Sequence, residues 1–330
     1  MGERAVINLD QLDFVGVGLQ RPECVLARAD GSLHVADVRG GVSVIAADGG
    51  VRTVLAKGDY KPSPNGIAVL NDGGWLLAHL GRDDGGVYRL DDDGKLAPFL
   101  LEIGGEALPP TNYVHVDGHG RTWVTVSTRL HPRDLGYRPD CSDGFIVLVD
   151  AAGARIVADG LGYTNECLVH PETGQLYVNE TFGRRLSRFD VGADGSLSNK
   201  TTMAEFGFGD FPDGLTFDAE GGIWITSIIS NRVIRVGPDG HQQIIVEDSD
   251  PDHLAWVEEA YLGGTLGREH LDQAVSRKLK NISSLAFGGE DLRTVYLGCL
   301  LGAEIATFRS DWAGLRPYHW DVAGFDASPS

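Results

Sequence analysis

The chain has 330 residues, 42% hydrophobic and 23% charged, a globular composition that excludes disorder. Its 28 Lys and Arg against 47 Asp and Glu leave a net charge of −19, which argues against nucleic acid or an anionic membrane as partner. No apolar run approaches the ~18–20 residues of a membrane span, the start Met-Gly-Glu-Arg-Ala is no signal segment, and Cys24, Cys141, Cys167 and Cys299 have no metal-type spacing, so reduced thiols in the cytoplasm are expected.

The 45 glycines are about twice the ordinary share and call for many tight turns. In chain order, one phrase recurs: a polar residue, a short apolar run, a Gly-centred turn and a second apolar run. It reads Glu23-Cys24-Val25-Leu26 before Asp30-Gly31, Asn65-Gly66-Ile67-Ala68 before Asp72-Gly73, and Asn112-Tyr113-Val114 before His119-Gly120. It continues as Asn165-Glu166-Cys167-Leu168 before Thr173-Gly174, and as Asp213-Gly214-Leu215-Thr216 before Glu220-Gly221. A worn sixth copy is Ser283-Ser284-Leu285-Ala286-Phe287, then Thr294-Val295-Tyr296-Leu297. Alternating runs bounded by Asp-Gly and Gly-Gly are the mark of antiparallel hairpins.

The six anchors at 23, 65, 112, 165, 213 and 283 are spaced by 42, 47, 53, 48 and 70 residues, close to the ~40–50 of a four-stranded propeller blade. The expected fold is all-β: a six-bladed β-propeller of four-stranded blades, one domain over 1–330, with a short helical insertion between blades five and six. Residues 1–20 and Leu315–Val322 are expected to share the closing blade.

In a propeller the innermost strands line the axis, so the anchors face one another as a ring of Glu23, Asn65, Asn112, Asn165, Asp213 and Ser283. All are hard-oxygen donors. Two carboxylates among neutral oxygens suit a hard divalent cation; Ca²⁺ is the first candidate, with Zn²⁺, Mn²⁺, Mg²⁺ and Fe²⁺ as alternatives. Asn65 and Ser283 are expected behind the ligands or linked to the ion through water. Two segments interrupt the repeat, Arg129–Gly144 in blade three and 252–280 after blade five, with a short amphipathic helix expected over Arg268–Leu279. Insertions of this kind roof axial sites, which makes His131, Tyr137, His253, Trp256 and Tyr261 candidate substrate walls. Cys24 and Cys167 read as buried strand residues rather than nucleophiles.

These residues resemble the calcium-dependent lactonases grouped with gluconolactonase and the senescence marker protein regucalcin, with diisopropyl fluorophosphatase a more distant relative of the same architecture. The resemblance runs through nearly the whole chain and is strongest at Arg21-Pro22-Glu23, Tyr163-Thr164-Asn165-Glu166 and Phe211-Pro212-Asp213-Gly214-Leu215. It implies metal ligation by Glu23, Asn165 and Asp213, with Asn112 beside metal and substrate. The implied reaction is hydrolytic opening of a small-molecule lactone, with Asp213 as general base. One departure stands out: sugar lactonases carry an Arg two residues before the third-blade Asn, where this chain has Pro110, and Ser127-Thr128-Arg129 lacks the family's acidic residue. A less polar lactone is therefore expected, with His131 and Tyr137 as substrate-binding walls beside Asn112. The alternatives are a phosphotriesterase on the same cation and a non-catalytic metal-binding propeller.

Overall fold

The computed structural model describes residues 6–322; the expected domain bounds of 1–330 extend beyond these at both ends. Six four-stranded antiparallel sheets follow the repeats in order. Their innermost strands are Val25–Ala27, Pro64–Val69, Thr111–Val116, Thr164–Val169, Asp210–Phe217 and Ile282–Gly288. The turn glycines that mark the register, Gly31, Gly73, Gly120, Gly174 and Gly221, have φ of 80, 85, 73, 70 and 79°, a backbone region that a Cβ disfavours. The repeat is therefore set by backbone chemistry as well as by hydrophobic alternation.

From blade two to blade six each inner strand packs on the next, the sixth packs on the first, and the inner strand of blade two packs on Leu33–Asp37 of blade one. Alternate side chains of facing sheets fill the wedges between blades. Ala36, Val42 and Val54 of blade one, for example, meet Ile67, Trp75 and Leu77 of blade two. The fully buried Trp75, Trp123 and Trp224 each place an indole N–H on a buried acceptor: His34 at 2.8 Å, Asp117 at 2.9 Å and Asp218 at 2.8 Å. A large apolar ring thus enters the core without stranding its donor.

Ring closure follows expectation for residues 1–20 and departs from it for Leu315–Val322. The fourth strand of blade six is Asp13–Val15, paired with Ile305–Arg309. Leu315–Val322 adds no strand to that blade. It crosses one end of the channel instead, where Leu315, Pro317, Tyr318 and His319 line a largely apolar cavity. Asp218 and Gly314 form an isolated bridge at the start of this crossing.

The insertion after blade five also departs in detail. The expected helix over Arg268–Leu279 is only Arg268–Asp272, while a longer helix occupies Pro251–Leu262. Asp250 caps it by accepting from the His253 N–H, and Pro251 opens it, the arrangement expected where a first turn needs an acceptor but no donor. Among the described residues, no helix is long and apolar enough to cross a membrane.

At the axis the blades approach too closely for any side chain beside Asp213. A Cβ on Gly214 would lie 2.6 Å from Ser283 O and 2.6 Å from Ser284 Cα, both backbone atoms of the next blade. Gly214→Ala is expected to cost about 1–3 kcal/mol, the usual range for overpacking. Its thermal melt is the check, and an unchanged midpoint would contradict this packing.

Candidate active site

The ring residues sit where the inner strands are irregular. Register shifts fall between Pro64 and Ile67, Thr111 and Tyr113, Thr164 and Cys167, Pro212 and Leu215, and Ile282 and Ser284. Bulges re-aim side chains and end regular pairing, and here each one brackets a ring position. In blade one the same break comes before the strand begins, with Arg21 at φ 48°.

Glu23, Asn65, Asn112, Asn165 and Asp213 come together around one pocket on the axis. Ser283 does not line it; its hydroxyl donates to the Glu23 carbonyl at 2.9 Å. Of the expected substrate walls, Tyr137 lines the pocket and His131 does not. His131 is exposed and lines a separate groove with Asp84, Tyr88 and Pro109. His253, Trp256 and Tyr261 also lie away from the pocket, because their helix turns them inward or toward solvent. His253 Nε2 lies 3.1 Å from the His270 carbonyl, Trp256 stacks on His270, and the Tyr261 hydroxyl donates to Phe182 O at 2.6 Å.

Hydrogen bonds decide which atoms face the pocket. The Thr181 hydroxyl donates to Pro212 O at 2.7 Å, so toward Asn165 it can only accept, and it takes the Asn165 amide N–H at 3.0 Å. That leaves Asn165 Oδ1 buried without a partner. The same logic fixes Asn65. Both terminal nitrogens of Arg21 donate to its Oδ1 at 3.0 and 3.1 Å, so its Nδ2 turns to Glu23 Oε1 at 2.8 Å and to Asn112 O at 3.2 Å. Glu23 Oε2 and Asp213 Oδ1 are likewise buried with no hydrogen-bond donor.

Burial pushes the Glu23 carboxyl up to about 7, against the pull of Arg21 and Asn65. Burial and then the neighbouring Glu23 charge drive Asp213 well above the usual carboxylate range. Two desolvated carboxyl groups beside a bare amide oxygen form a set of hard-oxygen donors. The chemistry of these residues fits a hard divalent ion.

Three guanidinium groups line the same pocket: Arg21, Arg133 and Arg268. Sequence reasoning assigned none of them a role. Arg133 and Arg268 lie in the two insertions, where no repeat equivalent draws notice. Pro110, the residue behind the expectation of a less polar ring, is not on the pocket wall.

The family described as the SMP-30/Gluconolactonase/LRE-like region matches residues 21–253. A 6-deoxy-6-sulfogluconolactonase of Pseudomonas putida is 29% identical over 303 residues, covering 88% of this chain and 84% of that protein. A gluconolactonase structure from Xanthomonas campestris superposes with a TM-score of 0.65 at 20% identity, over 90% of this chain and 89% of that one. The calcium-binding protein regucalcin from Agrobacterium tumefaciens gives a TM-score of 0.65 at 17% identity, over 92% and 96% of the two chains. At these identities the structural likenesses establish the propeller fold alone.

Proposed function

The chain belongs to the SMP-30/gluconolactonase/LRE-like family, and from that premise we propose that its axial pocket opens a lactone by hydrolysis with a divalent cation, Ca²⁺ first, held by Glu23, Asn165, Asp213 and Asn112. The observation that carries this reading is the convergence of three buried, unpartnered oxygens, Glu23 Oε2, Asn165 Oδ1 and Asp213 Oδ1, on one pocket. The bound cation supplies Lewis-acid polarisation of the lactone carbonyl.

The residues do the rest. Asp213 accepts a proton from the attacking water as the new C–O bond forms, and returns it to the ring oxygen as the acyl C–O bond breaks, leaving a hydroxy acid. Asn65 holds Glu23 in one orientation through the Oε1 hydrogen bond, and Thr181 does the same for Asn165. Both positions are therefore set before substrate arrives, which lowers the reorganisation that the reaction requires. Asn112 and the Tyr137 ring stand on the wall as substrate contacts.

Three guanidiniums on the wall favour a polar ring over the less polar one that Pro110 suggested. The named activity of the Pseudomonas putida relative, on 6-deoxy-6-sulfogluconolactone, agrees with that. All four cysteines are free thiols, which supports a reducing, cytoplasmic setting. The test is a small panel of gluconolactone, an aromatic lactone, an aliphatic δ-lactone and a phosphotriester, each with Ca²⁺ and with excess chelator. Lactone hydrolysis that chelator abolishes and Ca²⁺ restores is expected. Full activity after demonstrated removal of the metal, or turnover of the phosphotriester alone, would overturn the reading.

A further inference from the structure

The pocket wall carries more positive charge than its carboxylates balance. Its ionisable side chains, apart from tyrosines, are Arg21, Arg133 and Arg268 against Glu23 and Asp213. Arg21 is committed to Asn65. Arg268, the first residue of the five-residue helix in the insertion after blade five, shares an exposed ion pair with Asp272. Arg133 comes from the single 3-10 turn Arg133–Gly136 in the blade-three insertion. Among the described residues its one hydrogen bond runs from Nη1 to the Tyr163 hydroxyl at 2.9 Å. No carboxylate lies within ion-pair distance of Arg133 there, and four of its five donors are left for something else.

The group that orients Arg133 is itself held under strain. Tyr163 has φ 66°, a left-handed conformation that is a genuine outlier for a bulky residue. Its ring is clamped by Tyr137 and Phe182, at centroid distances of 5.3 and 4.7 Å. A strained, wedged phenol thus positions a guanidinium whose partner is missing.

The charge balance says what that partner is. A divalent cation takes up the charge of Glu23 and Asp213, which leaves Arg133 as surplus positive charge on the wall, while Arg268 on the same wall shares its charge only with the exposed Asp272. We propose that Arg133 and Arg268 hold an anionic substituent of the substrate, so that the ring opened here carries a carboxylate, sulfonate or phosphate group remote from the reacting carbonyl. This inference rests on the lactone-hydrolase reading and deepens it. Guanidinium forks match these oxyanions with paired N–H donors. The two arginines are specificity residues carried by rim insertions, separate from the metal-binding oxygens on the blades.

The experiment compares gluconolactone with its 6-phosphate and 6-sulfonate derivatives, using the full chain loaded with Ca²⁺. The anionic rings are expected to have the higher kcat/KM, with the preference shrinking as salt is raised. Arg133→Ala and Arg268→Ala should each reduce the anionic-to-neutral ratio by about ten- to a hundredfold, the range for losing a charge-assisted contact. Arg133→Lys should recover part of it. The salt titration reads the same preference without any substitution, so a variant that fails to fold does not block the test. Calorimetric binding of 6-phosphogluconate should weaken in parallel. A neutral ring turned over as well as the charged ones, or variants that slow both classes by one factor, would overturn the proposal. If no lactone is opened with any cation, the hydrolase reading fails, and calorimetry then decides the anion corner independently: absence of 6-phosphogluconate binding overturns it.

Discussion

Asp213→Asn lowers kcat on a lactone by about 10²–10⁴-fold at saturating cation, the usual worth of a general base. The substitution keeps an oxygen of the same reach and removes both the charge and the proton acceptor. The Asp213 backbone is anchored, its carbonyl accepting from the Asn179 amide at 2.9 Å. Glu23→Gln makes the contrasting case. It also removes one charge from the proposed metal site but no proton acceptor in the reaction, and it retains an acceptor for the Asn65 N–H that reaches Glu23 Oε1 at 2.8 Å. At saturating Ca²⁺ its kcat should fall much less. Cation affinity should drop in both variants, so the metal must be titrated for each. Equal kcat losses would mean that charge on the ion explains everything, and Asp213 would lose its place as base.

Calcium affinity is expected to fall steeply in mild acid, by up to about a hundredfold for each pH unit below the carboxyl pKa values, because binding displaces protons from two groups. The sign follows from the raised pKa values, with Glu23 at about 7 and Asp213 well above its ordinary value. In the metal-free protein the folded state prefers both groups protonated. Their contribution to stability is then complete below the ordinary carboxyl range and is lost as pH rises, for Glu23 through about 7 and for Asp213 above its ordinary range. The cation binds the ionised pair and restores what ionisation removed. The gain in Tm on adding saturating Ca²⁺ should therefore be larger at about pH 8 than at about pH 5.5. Comparing the gain rather than Tm itself cancels the many surface carboxylates that titrate in both forms. A gain independent of pH would mean that the ion does not sit on Glu23 and Asp213.

The blades and the axial ring were legible because both repeat. Asn65, Asn112 and Asp213 recur at a fixed distance before a turn glycine, and a shared register in a propeller becomes a shared axis. The bulges that turn these residues inward leave no such trace, since residue types at Thr164–Cys167 or Pro212–Leu215 do not announce a register shift. Arg133 and Arg268 escaped because insertions have no counterpart in other blades, and a charged residue in a loop ordinarily reads as solvated. Pro110 speaks only for its own position: the absence of an arginine there says nothing of arginines arriving from elsewhere. The helix Pro251–Leu262 carried a readable signal, Asp250 followed by Pro251, that was outweighed by the apparent amphipathicity of Arg268–Leu279. His131 belongs to the insertion expected to roof the axis, but it lies before the turn Arg133–Gly136 that reaches the pocket, and it lines another groove.

The pairing of Asp13–Val15 with Ile305–Arg309 has a consequence for synthesis on the ribosome. Blades one to five can each complete their sheets as they emerge, since every pairing within them joins consecutive strands. The sixth cannot, because one of its strands is made before the other five blades and its partner after them. Until Ile305–Arg309 leaves the exit tunnel, the nascent chain is an open arc whose two ends each expose a blade face. A stalled or truncated chain stops at that stage with free strand edges, the kind of surface that recruits other chains.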